Sequence, residues 1–304
     1  MPPELTDLTD QILLRPYQAL GIPIALVGAV FLSLGAQFQH RGVAKVEEQN
    51  ASSTAGLSLG QLTSLLGRPS WVIGTMMLAL AIVLQLTSLG FAPLIVVQPL
   101  GAIALVITSI LNARVSHVPL NRRSIRAIAL CVGGVGLFVT IAAFTAVDRA
   151  ISDTQLVTIL IILAAVLIAF VASFLALRHQ FRAVYYIIGA GVLYGFVATL
   201  AKVVINRILQ GDFEWLTLTC LAGLLAAGAL GAYFVQTAYS AGPPDLVIAG
   251  LTVVDPLVAV GIGILVLGEA SQAPWYAAIA FVVAGIIAVL GVFDLAKNHP
   301  QAQH

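Results

Sequence analysis

The feature that most constrains this chain is a series of continuous apolar stretches, each about 20 residues long, which is the length of a helix that spans roughly 30 Å of hydrocarbon. Membrane β-strands are shorter, about ten residues, and alternate in polarity. Of the 304 residues, 60% are hydrophobic and 9% are charged, whereas soluble domains carry roughly 25% charged residues. Because a bilayer admits only helices or closed barrels, the sequence predicts an all-α integral membrane protein.

Nine transmembrane helices are expected, and Trp71, Trp215 and Trp275 stand at predicted span ends, as interfacial tryptophans do. The segment Leu57 to Leu66 is too short and too polar to cross. The spans lie at roughly 20–40, 71–90, 92–112, 125–146, 155–177, 184–206, 216–239, 244–267 and 273–294.

The distribution of lysine and arginine between the loops predicts the orientation. With Lys202 set aside because it lies within a span, one side carries ten of these residues and the other three. Excess positive charge marks the cytoplasmic face. We therefore expect a multi-pass protein of the cell membrane with its N-terminus outside and its C-terminus in the cytoplasm.

Charge and motif content exclude several classes of function. The net charge is +1, and no basic run or Walker sequence is present, so neither a nucleic-acid partner nor ATP-driven transport is expected. Cys131 and Cys220 lie inside apolar stretches and are interpreted as small core residues. The sequence implies no cofactor and no enzymatic activity. The expected partners are membrane lipid and a small solute or cation, and the oligomeric state stays open.

An internal repeat is suggested by three residues that recur at an offset of 151. Gln85, Pro93 and Val96 fall on Gln236, Pro244 and Val247. Spans 1 to 4 cross in the opposite direction to spans 6 to 9, and such inverted repeats are the usual architecture of secondary transporters.

The predicted organisation is therefore one transmembrane domain over residues 1–304, made of two inverted four-helix repeats joined by a linking helix. Repeat 1 covers about 20–146, the linking helix about 155–177 and repeat 2 about 184–294. Gly191 and Gly195 form a Gly-x-x-x-Gly pair, which lets helix backbones approach closely.

Several motifs resemble the NIPA-like magnesium transporter family, which belongs to the drug/metabolite transporter superfamily. They are Gly90-Phe91-Ala92-Pro93, Gln98-Pro99-Leu100-Gly101-Ala102, Arg178-His179, Ala201-Lys202, and Pro256 with Leu267-Gly268-Glu269. The resemblance covers nearly the whole chain and implies nine spans and secondary transport or facilitated flux, with Mg2+ as the substrate. Where that family carries carboxylates this chain has Ile82 and Val118, so a small organic solute stays an alternative.

Asp255 is the first candidate for chemistry, because an ionisable group near the middle of a span usually marks function. Pro256 follows it and removes a helical hydrogen bond, and Gln98-Pro99 makes a similar break in span 3. Interrupted helices in both repeats indicate a binding site between them. Asp255 is predicted as a binding group for substrate or a coupling ion, with a metal role open, and Pro99 and Pro256 as hinge positions. The alternative is a structural Asp255 bonded to a neighbouring helix.

Five further polar residues within spans are candidate substrate contacts. Lys202 is interpreted as an ammonium that reaches the interface, as a counter-charge for Asp255 or as a ligand for an anionic group. The others either bond between helices or line the cavity, and they are Gln85, Gln98, Gln236 and Tyr194. Glu269 and Asp245 are expected to be solvated groups at span ends, and the loop histidines His40, His117 and His179 to be solvated as well.

Three function classes stay open. The first is an alternating-access transporter of Mg2+ or of a small organic solute coupled to protons. The second is a membrane-embedded enzyme, and the third a non-transporting membrane subunit. Asp255 separates them, because its neutralisation abolishes flux in the first class and affects only stability in the third.

Overall fold

The computed structural model describes residues 20–39, 41–42, 67–115, 121–148, 151–177, 183–211, 214–241 and 244–297. Within these ranges the regular structure is entirely helical. The helices are α1 Leu20–Gln39, α2 Pro69–Phe91, α3 Leu94–Leu100, α4 Ala102–Val115, α5 Arg122–Thr145, α6 Asp153–Leu177, α7 Ala183–Gln210, α8 Trp215–Ala241, α9 Pro244–Leu265 and α10 Trp275–Lys297.

The described residues contain nine segments that are long and apolar enough to cross a membrane, which confirms the predicted number of spans. The third of them, Leu94–Leu111, joins α3 to the first residues of α4. The segment Leu57 to Leu66 lies outside the described residues. The nine helices are compatible with a multi-pass membrane protein, as the composition requires.

Helix α7 forms the centre of the bundle and packs against both α8 and α9. It is the most buried of the spans, and α6, the predicted linking helix, is the least buried. The apolar core runs through nearly all the helices and includes Cys131 and Cys220, both free thiols, as expected.

The Gly-x-x-x-Gly pair of α7 lies directly against α9. A Cβ atom added to Gly191 would come within 2.6 Å of Val254, and one added to Gly195 within 2.7 Å of Val258. Real Cβ atoms do not approach so closely, so only glycine permits this separation of the two backbones. Because the contacting residue numbers rise together in the two helices, α7 and α9 are parallel.

Helices α5 and α10 pack through a second glycine pair. A Cβ on Gly134 would collide with the backbone nitrogen of Ala288, and a Cβ on Gly291 with that of Cys131. Because the contacting residue numbers rise in one helix as they fall in the other, the two helices are antiparallel. The closest approach is thus made of two glycines, one from each helix.

Candidate functional site

Prolines lie inside both α3 and α9 beside one cleft, and α9 stays helical through Pro256. Pro99 lies inside α3 and Pro256 inside α9, and each removes the donor that would serve the carbonyl four residues earlier. Both prolines line an open cleft with a volume of about 70 Å³ between α3, α4, α5, α9 and α10. Thr252 supplies the polar side chain of a lining that is otherwise apolar.

Asp255 precedes Pro256, and its backbone packs against the glycine pair of α7. A Cβ on Gly191 would lie 3.3 Å from the Asp255 backbone nitrogen, and one on Gly195 would lie 3.0 Å from its carbonyl oxygen. The carboxylate oxygen Oδ1 is buried and accepts no hydrogen bond from the residues that the structure describes. Leaving a buried polar atom unpaired is costly, so such an atom in a folded protein requires a specific explanation.

The other predicted contacts are placed unequally with respect to Asp255. Tyr194 is half-buried on α7, within electrostatic reach of Asp255, with its ring 3.1 Å from a Cβ built on Gly231. Gln98 is buried in α3, next to Pro99, and Gln85 is half-buried in α2. Gln236 is exposed on α8, so the structure does not bring it into the buried interior with the others.

Lys202 is fully buried, but it does not serve Asp255. Its ammonium donates to the carboxylates of Asp148 at 2.9 Å and Glu269 at 3.1 Å, and to the carbonyl of Ala92 at 3.2 Å. These three acceptors match the three donors of an ammonium group. The interpretations of Lys202 as a counter-charge for Asp255 and as an interfacial ammonium are therefore wrong.

Glu269 is also buried, against the prediction of a solvated group. One carboxylate oxygen accepts from the backbone N–H of Leu94 and the other from that of Ile95, both at 2.9 Å. Helix α3 begins at Leu94, and its first N–H groups have no partner within the helix. Glu269 supplies that partner while it also binds Lys202, which is why its charge is tolerated inside the protein.

Asp148 completes this group, which is called the Lys202 network below and consists of Lys202, Glu269 and Asp148. Sequence reasoning missed Asp148 because a carboxylate in the connection between two spans is usually solvated. The backbone explains its position, since the N–H of the preceding Val147 donates to the Glu269 carbonyl at 2.8 Å. The network thereby joins the α2–α3 and α5–α6 connections to α7 and the segment after α9.

A second buried cation is neutralised in a similar way. Arg207, near the end of α7, donates to Asp153 at 2.7 Å and to the Thr217 hydroxyl at 3.3 Å. Glu214 lies 3.6 Å from the same guanidinium group. Both buried cations of α7 are therefore held by carboxylates other than Asp255.

Metal ligands do not cluster in the part of the chain that the structure describes, where no group of three His, Cys, Asp or Glu side chains lies together. His40, His117 and His179 lie outside the described residues, as does the side chain of Asp245. Asp255 is thus a lone carboxylate in its surroundings among the described side chains.

Comparisons with known proteins give a relative but no family. No family model matches the chain, and no solved structure matches it. An uncharacterized protein of Corynebacterium glutamicum is 25% identical over 282 residues, which are 92% of this chain and 95% of that protein. The similarity therefore extends over nearly the full length of both chains, and a function for this one rests on the site itself.

Proposed function

We propose that this chain is a secondary transporter of the drug/metabolite transporter type, which moves a small solute by alternating access between two inverted repeats. The observation that carries the proposal is the Oδ1 atom of Asp255, which is buried without a partner among the described residues and lies beside a proline inside a span. An ionisable group at this depth is expensive to keep and is typical of substrate and ion pathways. A bound cation or hydrogen-bond donor would offset the free energy of burying this oxygen atom, because it would supply the missing partner.

The sequence supports the two repeats in a register of 157 residues, in which Pro99 falls on Pro256. Residues 94–107 read Leu-Ile-Val-Val-Gln-Pro-Leu-Gly-Ala-Ile-Ala-Leu-Val-Ile, and residues 251–264 read Leu-Thr-Val-Val-Asp-Pro-Leu-Val-Ala-Val-Gly-Ile-Gly-Ile. Seven of the 14 positions are identical. This register aligns Pro99 with Pro256, whereas the offset of 151 does not align them.

The packing of α5 on α10 supports the same register. Gly134 meets Ala288, and Gly291 meets Cys131; a shift of 157 residues carries the first contact onto the second. Val135 and Val292 are related by the same shift, are both buried, and both line the cleft. An antiparallel pair with this reciprocity is what a two-fold axis in the membrane plane produces.

Charge at the site favours a cationic substrate or a proton. Lys202 and Arg207 are held by other carboxylates, so the Asp255 carboxyl group, when ionised, has no cationic partner among the described residues. An anionic solute would be repelled in these apolar surroundings, where charges are poorly screened.

Two substrate classes fit a cationic site. Mg2+ follows from the resemblance to the NIPA-like family, although Mg2+ wants several oxygen ligands and tends to keep its waters. A small organic cation, or an organic solute exchanged for protons, is the second candidate. It is favoured by the single carboxylate and by the apolar lining of the cleft, which would accommodate a hydrocarbon portion.

The proposal includes the cell membrane as the location, with the N-terminus outside and the C-terminus cytoplasmic. The excess of lysine and arginine on one set of loops supports this orientation. In that orientation the Lys202 network lies toward the outer face.

Transport into proteoliposomes tests the proposal, with wild type compared with Asp255→Asn. Mg2+ and a panel of lipophilic monocations are assayed with and without a pH gradient. Asp294→Asn is the matched control, because Asp294 is a carboxylate paired with the exposed Arg126. We expect loss of flux for Asp255→Asn and wild-type flux for Asp294→Asn.

The assay also separates the other classes. Flux of Mg2+ alone supports the NIPA-like substrate, whereas proton-driven flux of an organic cation supports the second candidate. Equal flux in wild type and Asp255→Asn would contradict the role of Asp255. A folded wild type that moves none of the probes would favour a non-transporting subunit or a membrane enzyme.

A further inference from the structure

We propose that the binding site consists of two equivalent halves, in which Gln98 holds the position in repeat 1 that Asp255 holds in repeat 2. The inference rests on the proposed transport function and extends it. It assigns Gln98 as the second binding group and states that the single carboxylate can reside on either half. The expected ligand has one cationic group for the carboxylate and one hydrogen-bonding group for the amide.

The local sequences make the two positions equivalent. Gln98 and Asp255 each follow a Val-Val pair and each precede Pro-Leu. The following proline removes the helical donor of the carbonyl four residues before it, which is that of Ile95 in one half and of Thr252 in the other. Each half therefore offers the same set of groups, a polar side chain beside a carbonyl that lacks its helical partner.

The tertiary structure brings the two halves to one place. Pro99 and Pro256, the neighbours of the two polar residues, line the same cleft. Gln98 is buried although it carries a polar side chain. Gln98 and Asp255, on different repeats, thus each adjoin a proline that lines the same cavity, and the Oδ1 atom of Asp255 is buried without a partner among the described residues.

The polar side chains of the two halves differ in charge, in hydrogen-bond donors and in length, since glutamine is one methylene longer than aspartate. A glutamine amide offers two donors and one carbonyl acceptor, whereas an ionised carboxylate only accepts. Gln98→Glu and Asp255→Asn change charge while they preserve shape. Together they move the carboxylate from one half to the other and leave the number of acids unchanged.

The test compares transport by four proteins in proteoliposomes, namely wild type, Asp255→Asn, Asp255→Asn with Gln98→Glu, and Asp255→Asn with Gln85→Glu. Gln85 is the matched control, because it is a half-buried glutamine of α2, a helix that contributes no residue to the cleft. We expect loss of transport in Asp255→Asn, recovery with Gln98→Glu and no recovery with Gln85→Glu. If Gln98→Glu does not fold, Gln98→Asp replaces it.

A second readout keeps the inference separate from the transport function. Dicyclohexylcarbodiimide adds to protonated carboxyl groups in apolar surroundings, and mass spectrometry locates the adduct. We expect an adduct at position 255 in wild type, none there in Asp255→Asn, and one at position 98 in the exchanged protein to the wild-type extent.

The outcomes are distinguishable. Wild-type transport that is lost in Asp255→Asn and not recovered with Gln98→Glu would overturn the equivalence of the halves while the transport function stands. Absence of transport in wild type would overturn the proposed function. The labelling then decides the equivalence by itself, because an unreactive carboxyl at position 98 contradicts it.

Discussion

The Lys202 network and the Asp255 site both bury ionisable groups in the apolar bundle, but only those of the network have hydrogen-bond partners for their buried atoms. In the network, a buried ammonium meets two carboxylates and a carbonyl, and Glu269 also accepts two backbone N–H groups. At Asp255, one carboxylate oxygen is buried without any such partner among the described residues. The charges of the network are paired within the protein, whereas Asp255 has a carboxylate oxygen that is free to bind a ligand.

From this difference we expect the network to support the structure and Asp255 to serve the proposed transport. A satisfied buried ion pair fixes the relative positions of the segments it joins, and removing one partner strands the other. An unsatisfied carboxylate contributes nothing comparable to folding and is retained for another reason. Substitutions in the two regions should therefore affect stability and transport in opposite proportions.

The largest loss of stability is expected for Lys202→Met, which leaves Glu269 and Asp148 without their shared cation. Removing one partner of a buried ion pair costs about 3–5 kcal/mol. Thermal unfolding in detergent micelles measures the effect. An unchanged melting temperature would show that the network does not support the fold.

A double-mutant cycle with Glu269→Gln sharpens that result. Because the two side chains bind one another at 3.1 Å, the double variant should be less damaged than the sum of the singles, with a coupling of about 0.5–3 kcal/mol. Strictly additive losses would mean that each residue acts through other contacts.

Gly195→Ala is expected to have the next largest effect, about 1–3 kcal/mol, as is typical of overpacking. The added Cβ would lie 2.7 Å from Val258 and 3.0 Å from the Asp255 carbonyl, so α7 and α9 must separate at the site. Gly228→Ala is the control, since its Cβ meets its nearest neighbour, Val197, at 3.9 Å. Equal melting temperatures for the two variants would contradict the close packing.

Arg126→Gln should cost at most about 1 kcal/mol, the usual range for an exposed ion pair. The Arg126 side chain is 71% exposed, whereas that of Lys202 is 1% exposed, so this variant is the surface counterpart of Lys202→Met. Chemical unfolding of both variants in the same detergent compares them. If Arg126→Gln lowered the free energy of unfolding as much as Lys202→Met does, burial would not determine how much an ion pair contributes to stability.

Asp255→Asn should cause no loss of stability, because the carboxyl group has a buried oxygen without a partner among the described residues, so the substitution breaks no hydrogen bond of that atom. We expect an unchanged or raised melting temperature together with the loss of transport described above. A large destabilisation would place Asp255 with the Lys202 network as a structural residue.

Much of the fold could be predicted from the sequence because it depends on segment length and polarity. The nine spans follow from apolar stretches long enough to cross a bilayer, and Pro99 and Pro256 lie inside helices as their positions within two spans predict, although α9 is not broken at Pro256. The isolation of Asp255 in an apolar segment is equally local. These features require no knowledge of which helices are neighbours.

The partners of the polar side chains were decided by the tertiary structure. Lys202 is 54 residues from Asp148 and 67 residues from Glu269, and nothing local to any of the three indicates the others. The burial of Glu269, the exposure of Gln236 and the contact of Gly134 with Ala288 depend in the same way on helix rotation and neighbours. The sequence by itself determined that the chain forms apolar helices long enough to cross a membrane, with a carboxylate inside one of them. Only the packing of those helices decided which charges neutralise one another and which one is left free, because the desolvation of a charge depends on what surrounds it in space.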